Sequence, residues 1–215
     1  MLLQALSLAG FASGAFAALA TTTNYYDGTL GACGCGTVFN SYIYTAAGSQ
    51  ALFGSGTWCG SGCGNCYVLT STGTSPPGEG TGSAVGSSIM VAITNLCPYA
   101  GNENWCPNVG STNAYGYGAH FDINTASGNG GWSSLGWNNP IVDYEPIACP
   151  SPLPTLYANA ATCECAVTSV GSATSNTSTT SKVTTTSTTT KATSTSTASG
   201  ATQTHYGQCG GTGYT

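Results

Sequence analysis

Ten cysteines fall between residues 33 and 165 of this 215-residue chain: Cys33, Cys35, Cys59, Cys63, Cys66, Cys97, Cys106, Cys149, Cys163 and Cys165. An eleventh, Cys209, stands alone near the C-terminus. An even set of that density, scattered among thirty-one glycines, points to a loop-rich domain stapled by five disulfides, which need an oxidising compartment to form. The pairing cannot be deduced from spacing. Cys63-Gly64-Asn65-Cys66 has the spacing of half a zinc site, but no second such pair follows at zinc-finger distance and histidine is scarce, so neither a metal nor a cofactor is expected.

The N-terminus agrees with that compartment. Leu2 to Leu19 is an apolar run broken by Ser7, Gly10, Ser13 and Gly14 and ending in Ala18-Leu19-Ala20, which fits a small-residue cleavage site. The stretch before it lacks Lys and Arg, and a membrane anchor is the competing reading. The polar Thr21-Thr22-Thr23 and the cysteine count favour a cleaved leader. Residues 1–20 are therefore expected to be a signal peptide. The mature chain would start near Thr21, secreted and free of the membrane.

Charge narrows the chemistry further. The formal net charge is -5, there is no Arg, and both lysines, Lys182 and Lys191, lie near the C-terminus. No basic patch exists to hold nucleic acid. Nor is there an electrostatic reason to bind an anionic polymer, so a neutral substrate is expected. Carboxylate chemistry must draw on Asp27, Glu79, Glu103, Asp122, Asp143, Glu145 and Glu164.

Among these, Asp122 lies in the most informative setting, Ala119-His120-Phe121-Asp122-Ile123-Asn124. In an extended strand Phe121 and Ile123 would face the core while His120, Asp122 and Asn124 face the other side. An arbitrary Asp in that position usually sits on a solvated edge. Here no cation exists to pair with it, so Asp122 is solvated, held by neutral donors, or shifted upward in pKa by desolvation, and the last describes a general acid. Thr23-Asn24-Tyr25-Tyr26-Asp27-Gly28 predicts a second short strand ending in a turn, with Thr23, Tyr25 and Asp27 on one face. By itself an Asp before Gly is more often a turn residue.

Other β-type runs are Tyr67 to Thr70, Ile89 to Thr94 and Ile141 to Glu145, separated by Gly-, Ser- and Pro-rich loops, the pattern of a small all-β barrel. One short helix is expected around Ala46 to Phe53. Trp58, Trp105, Trp132, Trp137, Tyr115 and Tyr117 fall mostly in loops, where they serve either as sugar platforms or as packing for disulfides. From about Thr168 to Thr204 the chain is mostly Ser and Thr, an extended linker expected to carry O-glycans, with one N-glycosylation sequon at Asn176-Thr177-Ser178. Structure-forming residues return in the tail from His205 to Thr215.

Separated motifs now converge. Thr23-x-Tyr25-Tyr26-Asp27 and His120-Phe121-Asp122 resemble the family 45 glycoside hydrolases. So do Gly31-Ala32-Cys33-Gly34-Cys35-Gly36, Trp58-Cys59-Gly60, Cys63-Gly64-x-Cys66-Tyr67, Thr94-Asn95-Leu96-Cys97-Pro98 and Glu145-Pro146-Ile147-Ala148-Cys149-Pro150. The similarity covers about residues 21 to 166 and is nearer to the family's shorter, expansin-like branch. It implies a six-stranded double-psi β-barrel over residues 21–167 and hydrolysis of cellulose or another neutral β-glucan by a monomer. It also implies Asp122 as general acid, Asp27 as general base of an inverting reaction, and Asn95 as a secondary site assisting the base. Thr23, Tyr25 and His120 would contact substrate.

An inverting pair is spaced roughly 6.5 to 9.5 Å apart, against about 5 to 5.5 Å for a retaining pair. Asp143 and Glu145, sharing a strand face, are the runner-up pair. The tail, residues 205–215, resembles the opening of a fungal family 1 cellulose-binding module, in which Tyr206 and Gln208 match the flat binding face. The module's remaining aromatics and cysteines are missing. Two rival readings stay open: a non-hydrolytic wall-loosening protein of expansin type, which lacks the base, and a barwin-like defence protein on the same barrel.

Overall fold

The structure, a computed structural model, describes residues 18–54, 56–128 and 132–165. The linker at 168–204, its sequon at Asn176, and the tail with Tyr206 and Gln208 lie outside the described residues. Six strands form the domain: β1 (Ala18–Tyr25), β2 (Tyr44–Gly48), β3 (Cys66–Ser71), β4 (Ser88–Leu96), β5 (His120–Asn124) and β6 (Val142–Ile147). They close into a barrel in the order β1-β5-β2-β4-β3-β6. Two pairs, β1 with β5 and β2 with β4, are parallel, and the rest are antiparallel. This is the expected six-stranded double-psi barrel, with two short α-helices, α1 (Gln50–Phe53) and α2 (Leu153–Tyr157). No helix among the described residues is long and apolar enough to cross a membrane.

Strand alternation builds the core. Phe121 and Ile123 of β5, Ile93 and Val91 of β4, Leu69 of β3 and Val142 of β6 are all fully buried. Phe121 meets Tyr67 edge-on at a centroid distance of 5.4 Å, and Tyr144 at the same distance. Leu153 of α2 and Phe53 of α1 are buried in the same cluster.

Two local expectations need correction. Ala46, Ala47 and Gly48 belong to β2, and the helix begins only at Gln50. Alanine and glycine read poorly as strand formers, but Ala46 and Ala47 are fully buried between β4 and β5 and Gly48 has close neighbours. A Cβ at Gly48 would sit 3.0 Å from Leu52 Cβ and 3.1 Å from Ile93 Cδ1. Asp27, for its part, lies two residues beyond the end of β1 and does not share a strand face with Thr23.

Five disulfides join Cys33 to Cys63, Cys35 to Cys163, Cys59 to Cys165, Cys66 to Cys149 and Cys97 to Cys106. Cys63 and Cys66 therefore hold different partners, which removes the zinc reading of that motif. Cys163 and Cys165 tie the end of the domain back to the loops after β1 and α1. Cys97–Cys106 braces the loop that runs from β4 to β5.

Candidate active site

Of the settings left open for Asp122, burial is the one observed: the polar face of β5 is buried as thoroughly as the core face. His120 and Asp122 are 0 % exposed and Asn124 is 6 % exposed. The cover includes the braced loop between β4 and β5. Trp105 packs against Cys97 and Cys106 with Tyr25 and Tyr115 alongside, and its ring lies 5.6 Å from that of His120. For Trp105 and Tyr115 the disulfide-packing role is the one observed. Burial, together with the nearby Glu79 carboxylate, pushes the Tyr115 hydroxyl up to about 12 and keeps it a neutral phenol.

Within this face the hydrogen bonds have a determined direction. Parallel pairing sets Thr21 opposite His120 and Thr23 opposite Asp122. The Thr23 hydroxyl donates to Asp122 Oδ1 at 2.6 Å, which uses its one proton. His120 Nε2, 2.9 Å from Thr23 Oγ1, must then be the donor to that hydroxyl. The ring is neutral, so Nδ1 is an acceptor and takes the proton of Thr21 Oγ1 at 2.8 Å. Thr21 in turn accepts from Asn113 Nδ2 at 2.8 Å. The result is one chain of donors, Asn113 to Thr21 to His120 to Thr23 to Asp122, in which each group points toward the carboxyl. His120 is pinned at its backbone as well, exchanging bonds with Ser49 through its N–H (3.1 Å) and its C=O (3.0 Å).

Burial drives the His120 pKa down from 6.5 to about 3, and this has a consequence for stability. The unfolded chain takes up a proton on this residue below about pH 6.5, whereas the folded chain refuses it until about pH 3. The neutral ring's contribution is complete above that window and lost as pH falls through it. The contribution of His120 to stability should therefore decline on acidification from pH 6.5 toward 5, where exposed carboxylates scarcely titrate. A buried Asp122 carboxyl that stays protonated contributes the opposite slope, so denaturant titrations of the Asp122→Asn chain at a series of pH values check this, and a flat profile there would contradict it.

Asp27 is held separately. Its Oδ1 accepts from the Thr29 N–H at 2.7 Å and its Oδ2 from Asn95 Nδ2 at 3.2 Å. Asn95 Oδ1 accepts the N–H groups of Ala32 (2.7 Å) and Leu96 (2.9 Å), so only the amide nitrogen is left to face Asp27. Gly31, at φ +64, lets this loop lie against β4: a Cβ there would meet the Thr94 carbonyl at 2.7 Å. Asn124, at the end of β5, holds the Asp27 backbone, donating from Nδ2 to its carbonyl at 2.9 Å and accepting its N–H at 3.4 Å. Asp122 thus sits in the middle of β5 opposite Thr23, while Asp27 lies just past the end of the adjacent parallel strand β1, its backbone held by Asn124 at the end of β5.

The structure redistributes several sequence-based expectations. Thr23 and His120 are as buried as Asp122, and each touches Asp122 or its support; the cover that hides Asp122 hides them from a sugar as well. Tyr25 is half-buried against Trp105. The neighbouring Tyr26, not singled out from the sequence, is 80 % exposed beside Asp27. Asp143 and Glu145 sit on β6, which pairs with the opposite end of β1: Leu19 faces Asp143. At about 3.3 Å per residue, the six steps from Leu19 to Tyr25 separate that end from Asp27 by roughly 20 Å. Asn113, Thr21, Ser49 and Asn124 were missed. Only Asn124 carried a signal, its place on the polar face of β5.

Known proteins resemble the chain in the same region. A family model described as EXPB1-like domain 1 matches residues 20–153. Endoglucanase-5 of Hypocrea jecorina is 50% identical over 215 residues, covering 91% of this chain and 83% of that protein. The chain belongs to the family 45 glycoside hydrolases. An endoglucanase of the mussel Mytilus edulis is 41% identical over 145 residues, 61% of this chain and 79% of its own length. Two solved structures in family 45 superpose on the barrel. The endoglucanase EG27II in complex with cellobiose has a TM-score of 0.58 at 38% identity, over 68% of this chain and 88% of the other. The β-1,4-D-endoglucanase Cel45A of Mytilus edulis has a TM-score of 0.60 at 36% identity, over 70% and 92%. The residues matched by the family model include both Asp27 and Asp122.

Proposed function

We propose that this family 45 protein is a secreted endo-β-1,4-glucanase. It cuts interior bonds of cellulose or a related neutral β-glucan with inversion, Asp122 acting as general acid and Asp27 as general base. One observation carries the assignment: two adjacent parallel strands set two carboxyl groups in different surroundings, Asp122 buried in the middle of β5 and Asp27 half-buried just past the end of β1. Complete burial of the carboxyl favours the uncharged acid at Asp122. Thr23 donates to Oδ1, so the acid proton belongs on Oδ2, where it can pass to the leaving oxygen. Asp27, half-buried and oriented by Asn95, accepts a proton from water attacking the opposite face of the sugar. Thr23 and His120 position Asp122, and Asn95 and Asn124 position Asp27. Because Asp122 is 0 % exposed, glucan entry has to displace what covers that face. The sugar rings of a neutral glucan suit exposed aromatic rings such as Tyr26.

The solved relative EG27II is described with cellobiose, which supports a β-glucan as the substrate class. The EXPB1-like match favours the non-hydrolytic expansin-type reading, and the two are separated by turnover. Soluble cellulose should yield reducing ends steadily. Proton NMR of fresh hydrolysate should show the α-anomer first. No turnover would return the protein to the expansin-type reading, and initial β-anomer would overturn inversion.

A further inference from the structure

We propose that the leader is removed between Ala17 and Ala18, three residues earlier than the end of the apolar run suggests. The register of the barrel carries the inference. Strand β1 meets β6 through three pairs, Ala18 with Tyr144, Leu19 with Asp143 and Ala20 with Val142. Its residues from Thr21 onward pair instead with β5. These first three residues are therefore what closes the sheet on itself. Ala20 is fully buried in the core, while Leu19 is 46% exposed.

A mature chain starting at Thr21 would keep the parallel β1–β5 ladder and lose every β1–β6 pair. The barrel would then have an open edge on β6 with unpaired backbone N–H and C=O groups. It would also lose the Ala20 side chain from the core.

The sequence offers a second cleavage pattern that avoids this damage. Ala15-Phe16-Ala17 has small residues at the two positions a signal peptidase reads, and Ser13-Gly14 breaks the apolar run immediately before it. Cleavage after Ala20 would leave that break further from the cut bond, with Phe16 and Ala17 extending the apolar stretch. A leader of seventeen residues is within the usual range of about 15–30. Hydrolysis of the Ala17–Ala18 peptide bond by water leaves a free α-amino group on Ala18. The inference does not depend on the roles given to Asp27 and Asp122.

The test uses the full 215-residue chain secreted by a eukaryotic host and recovered from the medium. N-terminal sequencing and the mass of the N-terminal peptide should both read Ala-Leu-Ala-Thr, starting at Ala18. A start at Thr21, or retention of residues before Ala18, would overturn the proposal. A second measurement addresses the physical reason. Two chains beginning at Ala18 and at Thr21 are secreted behind an unrelated leader and compared by thermal unfolding. The shorter form should melt lower by on the order of 5 °C or more, and equal midpoints would refute the closing role of residues 18–20.

Discussion

Replacing Asp122 by Asn should lower kcat on soluble cellulose by about 10³- to 10⁴-fold, the upper range for a lost general acid, while leaving the fold intact. The amide is isosteric, and its oxygen can still accept the Thr23 hydroxyl that now bonds Oδ1 at 2.6 Å. The donor chain from Asn113 through His120 therefore keeps its direction. What disappears is the proton for the leaving oxygen. Two readouts distinguish this from mere damage. The alkaline limb of the pH–rate profile should vanish, because it reports ionisation of the acid. An aryl cellooligosaccharide whose phenol leaves without protonation should also recover much of the lost rate, since the acid contributes least there. Near-normal turnover on cellulose with both limbs intact would show that the acid lies elsewhere.

Asp27→Asn should cost on the order of 10² or more in kcat, and here a better leaving group should not help, because the missing step is activation of water. The replacement should also leave the binding of cellooligosaccharides nearly unchanged, so the loss falls on kcat rather than KM. The amide of Asn95 now donates to Asp27 Oδ2 at 3.2 Å. In the variant it faces an amide, where a relayed water can spare part of the activity, and for that reason the smaller of the two effects is expected here. If the aryl substrate rescued Asp27→Asn as fully as Asp122→Asn, the two roles would have to be exchanged.

Much of the barrel could be read from local pattern, for definite reasons. β3, β4 and β5 alternate or carry β-branched and aromatic residues, so period-two reasoning places them within a residue or two. The cysteine count indicates five bridges. The lack of Arg and the position of both lysines near the C-terminus pointed to Asp122 as the carboxylate to follow. The acid and the base were named through the family resemblance, and burial and hydrogen bonding supply a physical setting for each. β2 was misread because Ala46, Ala47 and Gly48 are small for packing between β4 and β5, a demand that exists only once those strands are adjacent. The cleavage site was placed by the end of an apolar run, whereas strand pairing between residues 18–20 and 142–144 bears on where the mature chain must begin.

The sequence by itself determined the polarity of each strand face, the supply of carboxylates and the number of cysteines open to pairing, because these depend on residue type and on neighbours a few positions apart. Only the tertiary structure decided which sulfur meets which, and that Asn113 supports His120. It alone placed Thr23 and His120, the candidate sugar contacts, in the hydrogen-bond chain that reaches Asp122. Those outcomes rest on contacts between residues up to 128 positions apart, as between Cys35 and Cys163. No local propensity encodes such contacts; they arise when the barrel closes and buries the polar face of β5 beneath the loop braced by Cys97 and Cys106.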